Sequence, residues 1–341
     1  MNSLERVTTT LAFGTADRVP VIAQVFGHAA VVAGVELGDY LRDGRLLARS
    51  QIQALKRYGY DAVFALMDTS VETEAAGSKL KFSQNDYPVV ISYALEDYRD
   101  IGNLALPDPH RSGRMPELLE AVRILRREVG ETTLVVGCAL GPMTIATQLM
   151  GLEKALYLAI DEPEEFSALL DFSTELATDF GKAQLEAGAH LTVVFDPSAS
   201  PAVIPPAFFR EFELPRLTRL FSALKGSGAA ANWLHIAGPA GPILPLYPEA
   251  GVDIANFDYC VSANEARTAL PATCLDGNIR PLAFIESTPE QIIRESSLLI
   301  EHFRNRGGFI LSSGCEIPPE SRPENVAAMV AAARASADRK E

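Results

Sequence analysis

Two side chains fit for metal or nucleophile chemistry stand at the ends of short apolar runs. His235 closes the run 230–235 in ANWLHIAG, and Cys315 closes 308–315 in GGFILSSGC. A neutral imidazole and a thiolate arriving together at strand ends begin a zinc site, which draws nitrogen and sulfur donors. Zinc there would activate a sulfur or oxygen nucleophile, or a leaving group. Two ligands do not complete such a site. Position 237, where a third would sit on the same strand edge, is Ala237.

Other polar and aromatic residues stand at comparable places. Phe26 and His28 follow the run 19–25, and Asp68, Glu72 and Glu74 end or follow 61–68. Asp196 ends 191–196, Asp258, Tyr259 and Cys260 end or follow 252–258, and Asn278 ends 272–278. We take Asp68, Glu72 and Asp196 as catalytic candidates, and Phe26, His28, Tyr259 and Asn278 as substrate-binding candidates. A third metal ligand would come from Glu72, Glu74, Asp196, Asp258 or Cys260. Each residue also has a plain structural reading. His235 can be satisfied by a backbone carbonyl, and a free cysteine such as Cys315 is often a small buried hydrophobe. Asp68 and Asp196 suit helix caps. Glu72 and Glu74 suit a solvated first turn, and Asn278 suits a GN turn.

The elements that must position these residues alternate. Eight apolar runs, at 19–25, 61–68, 133–139, 191–196, 230–236, 252–258, 272–278 and 308–314, are mostly continuous, as in strands covered on both faces. Helical patterns lie between them at 43–58, 116–129, 163–187, 206–224, 289–304 and 323–335. Ser287 and Glu290 have capping-box spacing. Eight strands alternating with helices predict an α/β fold, a single-domain (β/α)8 TIM barrel over 1–341, whose active site lies at the C-terminal strand ends. An open doubly wound sheet is the alternative, but VFGHAAVVAG is not a dinucleotide-binding GxGxxG turn. The stretch 71–106 reads as a rim insertion carrying a hairpin after strand two. The tail 333–341 reads as frayed.

Bulk properties narrow the class. The 341 residues are 48% hydrophobic and carry a formal net charge of −14, which argues against nucleic acid as a partner. The four cysteines, Cys138, Cys260, Cys274 and Cys315, are scattered without a CxxC, so disulfides are not expected. No secretory leader and no apolar stretch near the ~20 residues of a membrane span is present. The expected setting is cytoplasmic, with no membrane partner.

Local strings then match a family. FILSSGCEIPPESRPENVAAMV, LDGNIRP, CALGPMTIATQLMG, FDPSASPAVIPPAFFREFELP and AVFALMDTSVETEAAG together resemble the uroporphyrinogen decarboxylase superfamily over nearly the whole chain. The resemblance implies a (β/α)8 barrel and puts Asp68 at the place of the decarboxylase aspartate. The true decarboxylases hold a substrate of eight carboxylates with an Arg-rich N-terminal motif. Here VPVIAQVFGHAAVVAG has no Arg after Arg18. The cobalamin-dependent branch, such as methylcobamide:coenzyme M methyltransferase, implies a zinc held by His-x-Cys on strand five and a Cys on strand eight. His235 and Cys315 match two of those positions, and Ala237 replaces the middle Cys.

The resemblance thus implies a zinc-dependent methyltransferase. It would move a methyl group between cobalamin, carried by a partner corrinoid protein, and a small methoxylated compound, thiol or pterin. Two alternatives stand beside it. One is a metal-free decarboxylase of a small acid using Asp68. The other is a non-catalytic scaffold that binds a corrinoid protein.

Overall fold

Nine strands form among residues 1–337, which the computed structural model describes. They are β1 (Ala62–Ala65), β2 (Lys79–Lys81), β3 (Val89–Ser92), β4 (Leu134–Leu140), β5 (Leu191–Phe195), β6 (Trp233–His235), β7 (Ile254–Asn256), β8 (Cys274–Ile279) and β9 (Phe309–Ser313). Seven of them make one parallel sheet in the order β1-β4-β5-β6-β7-β8-β9. β1, β4, β5, β6, β7 and β9 are buried throughout, which explains runs without alternation.

The eighth expected strand, 19–25, closes the barrel without becoming a regular ladder. It lies between β1 and β9 and makes isolated parallel bridges Val21 to Leu311 and Val25 to Ile317. Pro20 has no N–H, and the Val21 N–H goes to the Asp61 carboxylate at 2.7 Å instead of a neighbouring strand. Arg6 and Arg18 grip the same carboxylate, with contacts of 2.7 to 2.9 Å. On the other side the Ser312 hydroxyl donates to the Ile22 carbonyl at 2.7 Å, and Gln24 donates to the Ser313 carbonyl at 3.1 Å. Side chains therefore supplement a few backbone bonds along this seam, among them Ile22 N–H to the Leu311 carbonyl at 3.0 Å and Asp61 N–H to the Val21 carbonyl at 2.7 Å. The fold is the (β/α)8 barrel of the sequence reading.

The helices follow the sequence closely, with instructive shifts. Gly44–Tyr58 is capped by Asp43, which accepts from Arg45 and Leu46, and Gly59 at φ 72° ends it. Pro163–Ala187 forms as read. The helix expected over 206–224 is interrupted by a π-turn at Phe209–Glu213, just before Pro215. Pro215 cannot donate to the helical ladder, and the wider turn absorbs that loss. The capping box is Thr288 with Gln291, one residue later than Ser287 with Glu290. Pro289 prefers the first helical position, and that fixes the cap at 288. The last helix, Pro323–Ala337, keeps Ala333 buried, so 333–337 is helix and not a frayed tail; 338–341 lies outside the described residues. Within 71–106, β2 and β3 pair antiparallel as a hairpin, and its Ser83–Pro88 loop reaches the barrel mouth.

Candidate active site

A cavity of about 240 Å³ opens at the C-terminal strand ends. β6 delivers His235 and then Ala237, and the turn after β9 delivers Cys315 and Glu316. The 19–25 segment delivers Phe26, and the chain after β1 delivers Leu66, Met67, Asp68 and Thr69. β5 adds Phe195 and Pro197, and the hairpin adds Tyr87 and Pro88. The barrel thus brings His235 and Cys315, 80 positions apart, to one wall. A second cavity, about 270 Å³, lies at the opposite end around Arg18 and Arg306. Arg306 is spent there on the carbonyls of Leu270, Thr273, Gly307 and Gly308. It is remote from the strand ends that carry the polar residues, so the mouth is the candidate site.

His235 is 2% exposed and its Nδ1 has no hydrogen-bond partner. Burial drops its pKa to about 3, so it remains a neutral imidazole at physiological pH. Its ring packs 4.8 Å from that of Phe195. Burial, with the nearby Glu316 and Asp258 charges, pushes the Cys315 thiol up to about 11. By itself it stays protonated at neutral pH.

Asp68 is held from behind. Arg114 donates Nη1 to Oδ2 and Nη2 to Oδ1, the latter at 3.2 Å, while Ser70 donates its N–H at 2.9 Å and its hydroxyl at 2.6 Å. The same guanidinium donates Nε to Glu74 at 2.6 Å and Nη1 to the Leu41 carbonyl at 2.8 Å. Two carboxylates therefore share one cation. Glu316 Oε1 accepts from the Tyr87 hydroxyl and, at 3.2 Å, from the Gly27 N–H. Burial raises the Glu316 carboxyl to about 7.

Sequence reasoning missed Arg114 and Tyr87 as site residues, and it placed Glu316 beside Cys315 at the end of strand eight without giving it a role. Arg114 carries no local signal, since it matters only through a partner 46 positions away. Tyr87 had one, as an aromatic within a hairpin already read as shaping the rim.

Several expected residues do other work. Glu72 is buried rather than solvated, and accepts the Leu140 N–H at 2.7 Å; burial raises its carboxyl to about 7. Asp196 caps the helix Pro142–Met150, accepting from the Thr144 N–H at 2.8 Å, its hydroxyl at 2.6 Å and the Met143 N–H at 3.3 Å. Desolvation and the Asp196 charge push the carboxyl of the buried Glu213 well above its ordinary value. His28 is consumed by Tyr58 at 2.8 Å and the Pro319 carbonyl at 2.9 Å. Asn278 donates to the Asp258 and Val261 carbonyls at 3.3 and 2.8 Å, holding its turn. Tyr259 is half-exposed, and it stands outside the cavity lining together with His28 and Asn278. Of the four substrate-binding candidates only Phe26 borders the cavity.

The donor set does not fit a zinc ion with three protein ligands. Among the described residues no three His, Cys, Asp or Glu side chains group as a metal cluster. Every proposed third ligand is engaged or turned away. Glu72 and Asp196 hold backbone amides, and Glu74 holds Arg114. Asp258 accepts the Gly238 and Cys260 N–H groups, each at 3.0 Å, and Cys260 is exposed. Cobalamin faces a different test. A cavity this small lies below the ~300–1,000 Å³ that encloses a drug-sized ligand. A corrin ring would not fit inside it.

Comparison with known proteins agrees with this architecture. Residues 2–336 match the family described as uroporphyrinogen decarboxylase (URO-D). The chain belongs to the uroporphyrinogen decarboxylase family. Similar relatives carry two kinds of name. A uroporphyrinogen decarboxylase of Syntrophotalea carbinolica is 29% identical over 87% of this chain and 85% of its own. The methylcobamide:CoM methyltransferase MtaA of Methanosarcina barkeri is 30% identical over 84% of this chain and 83% of its own. Among solved structures, a methyltransferase from Methanosarcina mazei superposes with a TM-score of 0.90 at 27% identity, covering 98% of this chain and 99% of its own. Among the described residues no helix is long and apolar enough to cross a membrane.

Proposed function

We propose that this family member is a methyltransferase that passes a methyl group between a corrinoid on a partner protein and a small molecule in the mouth cavity, in the cytoplasm. The observation that carries the reading is the cavity itself: about 240 Å³, walled by Phe26, Leu66, Met67 and Phe195, with no Lys or Arg on its lining. A tetrapyrrole with many carboxylates needs cations that this wall lacks. A small methyl compound needs only water exclusion and alignment, because methyl transfer is an in-line displacement. When delivered, the corrinoid supplies the cobalt centre that gives or takes the methyl group.

The chain's own residues supply the rest. Phe26 and Phe195 exclude water and fix the methyl group's approach. The neutral His235 offers a ring nitrogen to a polar atom of the substrate. Arg114 and Ser70 lock Asp68 so that it shapes the wall without moving. Tyr87, tied to Glu316, brings the hairpin across the mouth. No step is assigned to zinc.

Purified protein incubated with methylcobalamin or reduced cobalamin, and with panels of methyl acceptors or donors, should change the cobalamin spectrum, and His235→Ala should slow that change. A methyl-transfer rate indistinguishable from the protein-free rate refutes the proposal. Asp68-dependent release of CO2 from a small acid, without methyl transfer, selects the decarboxylase reading. Binding of a corrinoid protein without turnover selects the scaffold.

A further inference from the structure

The cavity combines features that select one substrate class. Phe26 and Phe195 meet edge to face, with centroids 5.9 Å apart and planes at 88°, so their rings form a right-angled corner. Tyr87 adds a third aromatic wall from the hairpin. Aromatic faces carry negative potential and attract cations that present no hydrogen-bond donor. The ionisable side chains on the lining point the same way. Asp68 brings a carboxyl group, Glu316 a carboxyl that burial raises to about 7, His235 is neutral, Cys315 is a protonated thiol at neutral pH, and no Lys or Arg borders the space. Behind the wall, Arg114 offers one positive charge to two carboxylates, Asp68 and Glu74. His235, 2% exposed with Nδ1 unpaired, is a buried polar group still lacking a partner.

We propose that the cavity takes a small methylated onium cation, a quaternary ammonium or a tertiary sulfonium, as its methyl donor. The proposal deepens the methyl-transfer reading and rests on it. The cation's methyl groups fill the aromatic corner, and its charge is met by ring faces and by the acidic side of the wall. The transfer balances without a proton. The C–N or C–S bond breaks and its electron pair stays on nitrogen or sulfur. A reduced corrinoid delivered by the partner would supply the electron pair that takes up the methyl carbon. The leaving group departs as a neutral amine or sulfide. A methyl ether or thioether would instead release an alkoxide or thiolate into a wall that holds no cation to receive it.

Calorimetric titration of the full-length protein tests this without any corrinoid. The probes are choline, its dimethylsulfonium analogue, and the neutral isostere 3,3-dimethylbutan-1-ol. At least one cation should bind about tenfold or more tighter than the neutral alcohol, and the tighter of the two identifies nitrogen or sulfur. Phe195→Leu should remove most of that preference, weakening the cation far more than the alcohol. Tyr87→Leu, in the hairpin loop, serves the same purpose should Phe195→Leu fail to fold. Equal or tighter binding of the alcohol, or no binding of either cation at millimolar concentration, overturns the proposal. Cation binding without methyl transfer leaves the cavity assignment standing and removes the transfer reading. Transfer from a neutral methyl ether without cation binding does the reverse.

Discussion

Arg114→Met would show how firmly the acidic wall is held. The Arg114 and Asp68 side chains are only 8% and 4% exposed. Removing the guanidinium leaves Asp68 buried without a counter-charge and takes the 2.6 Å partner from Glu74. Breaking a buried pair on one side costs ~3–5 kcal/mol. The lost bond to the Leu41 carbonyl adds about 1 kcal/mol. Set against a total stability of ~5–15 kcal/mol, that is a large fraction, and urea unfolding will register it. The double variant Arg114→Met/Asp68→Leu removes both charges and should recover most of the loss, because apolar replacement of a buried pair is often neutral. Arg114→Lys keeps the charge but loses the two-pronged grip, and should fall between. A single variant within about 1 kcal/mol of the parent, or a double variant no better than the single one, refutes the argument.

Stability should fall as pH rises from about 5 to about 8. Glu72, Asp276 and Glu316 are each raised to about 7 by burial, and Glu213 is raised further. Between the ordinary carboxyl range and these values the four carboxyls bind more protons in the native state than in the unfolded chain, so their deprotonation favours unfolding. His28, His190 and His235, lowered by burial, act in the opposite sense through the ordinary imidazole range, so the fall is steepest above it. Glu213→Gln should flatten the slope in urea titrations, and stability that climbs over this window would contradict the assignment. Elemental analysis of purified protein should find zinc far below one ion per chain; one firmly held zinc that His235→Ala releases would show that the donor set rearranges to bind it. Tyr87→Phe removes the bonds to Glu316 and Gly27, and should weaken ligand binding by about 1 kcal/mol. Unchanged affinity would mean that the hairpin does not cover the ligand.

The barrel was legible because its strands are buried on both faces and its helices open on Pro or acidic caps. Those are local signals, and Pro163–Ala187 was read to the residue. The site was legible only in part. His235, Cys315, Asp68 and Phe26 reach the cavity because strand-end position is itself a topological clue. Asp196 and Asn278 stand at the same kind of place, yet their side chains turn to backbone groups that no sequence window reveals. Glu72 looked like a solvated first-turn carboxylate, but its helix packs against the barrel and its partner, the Leu140 amide, lies 68 positions on. Such pairings are products of tertiary packing, and periodicity carries no record of them.

The stapled seam also orders events in time. The 19–25 segment leaves the ribosome well before its β9 partner, which follows 290 residues later, as the Ser312–Ile22 bond records. At ~5–20 residues per second that is a wait of about 15–60 s. The contacts to β1 need no such wait, because Asp61 is 40 residues from Val21 and 55 from Arg6. Asp61 would then be able to engage the 19–25 segment before β9 emerges, covering the free edge of β1. Emergence of β9 is the event that shuts the ring, so a ribosome-bound chain ending before Phe309 should hold its N-terminal segment in place while its barrel still stands open.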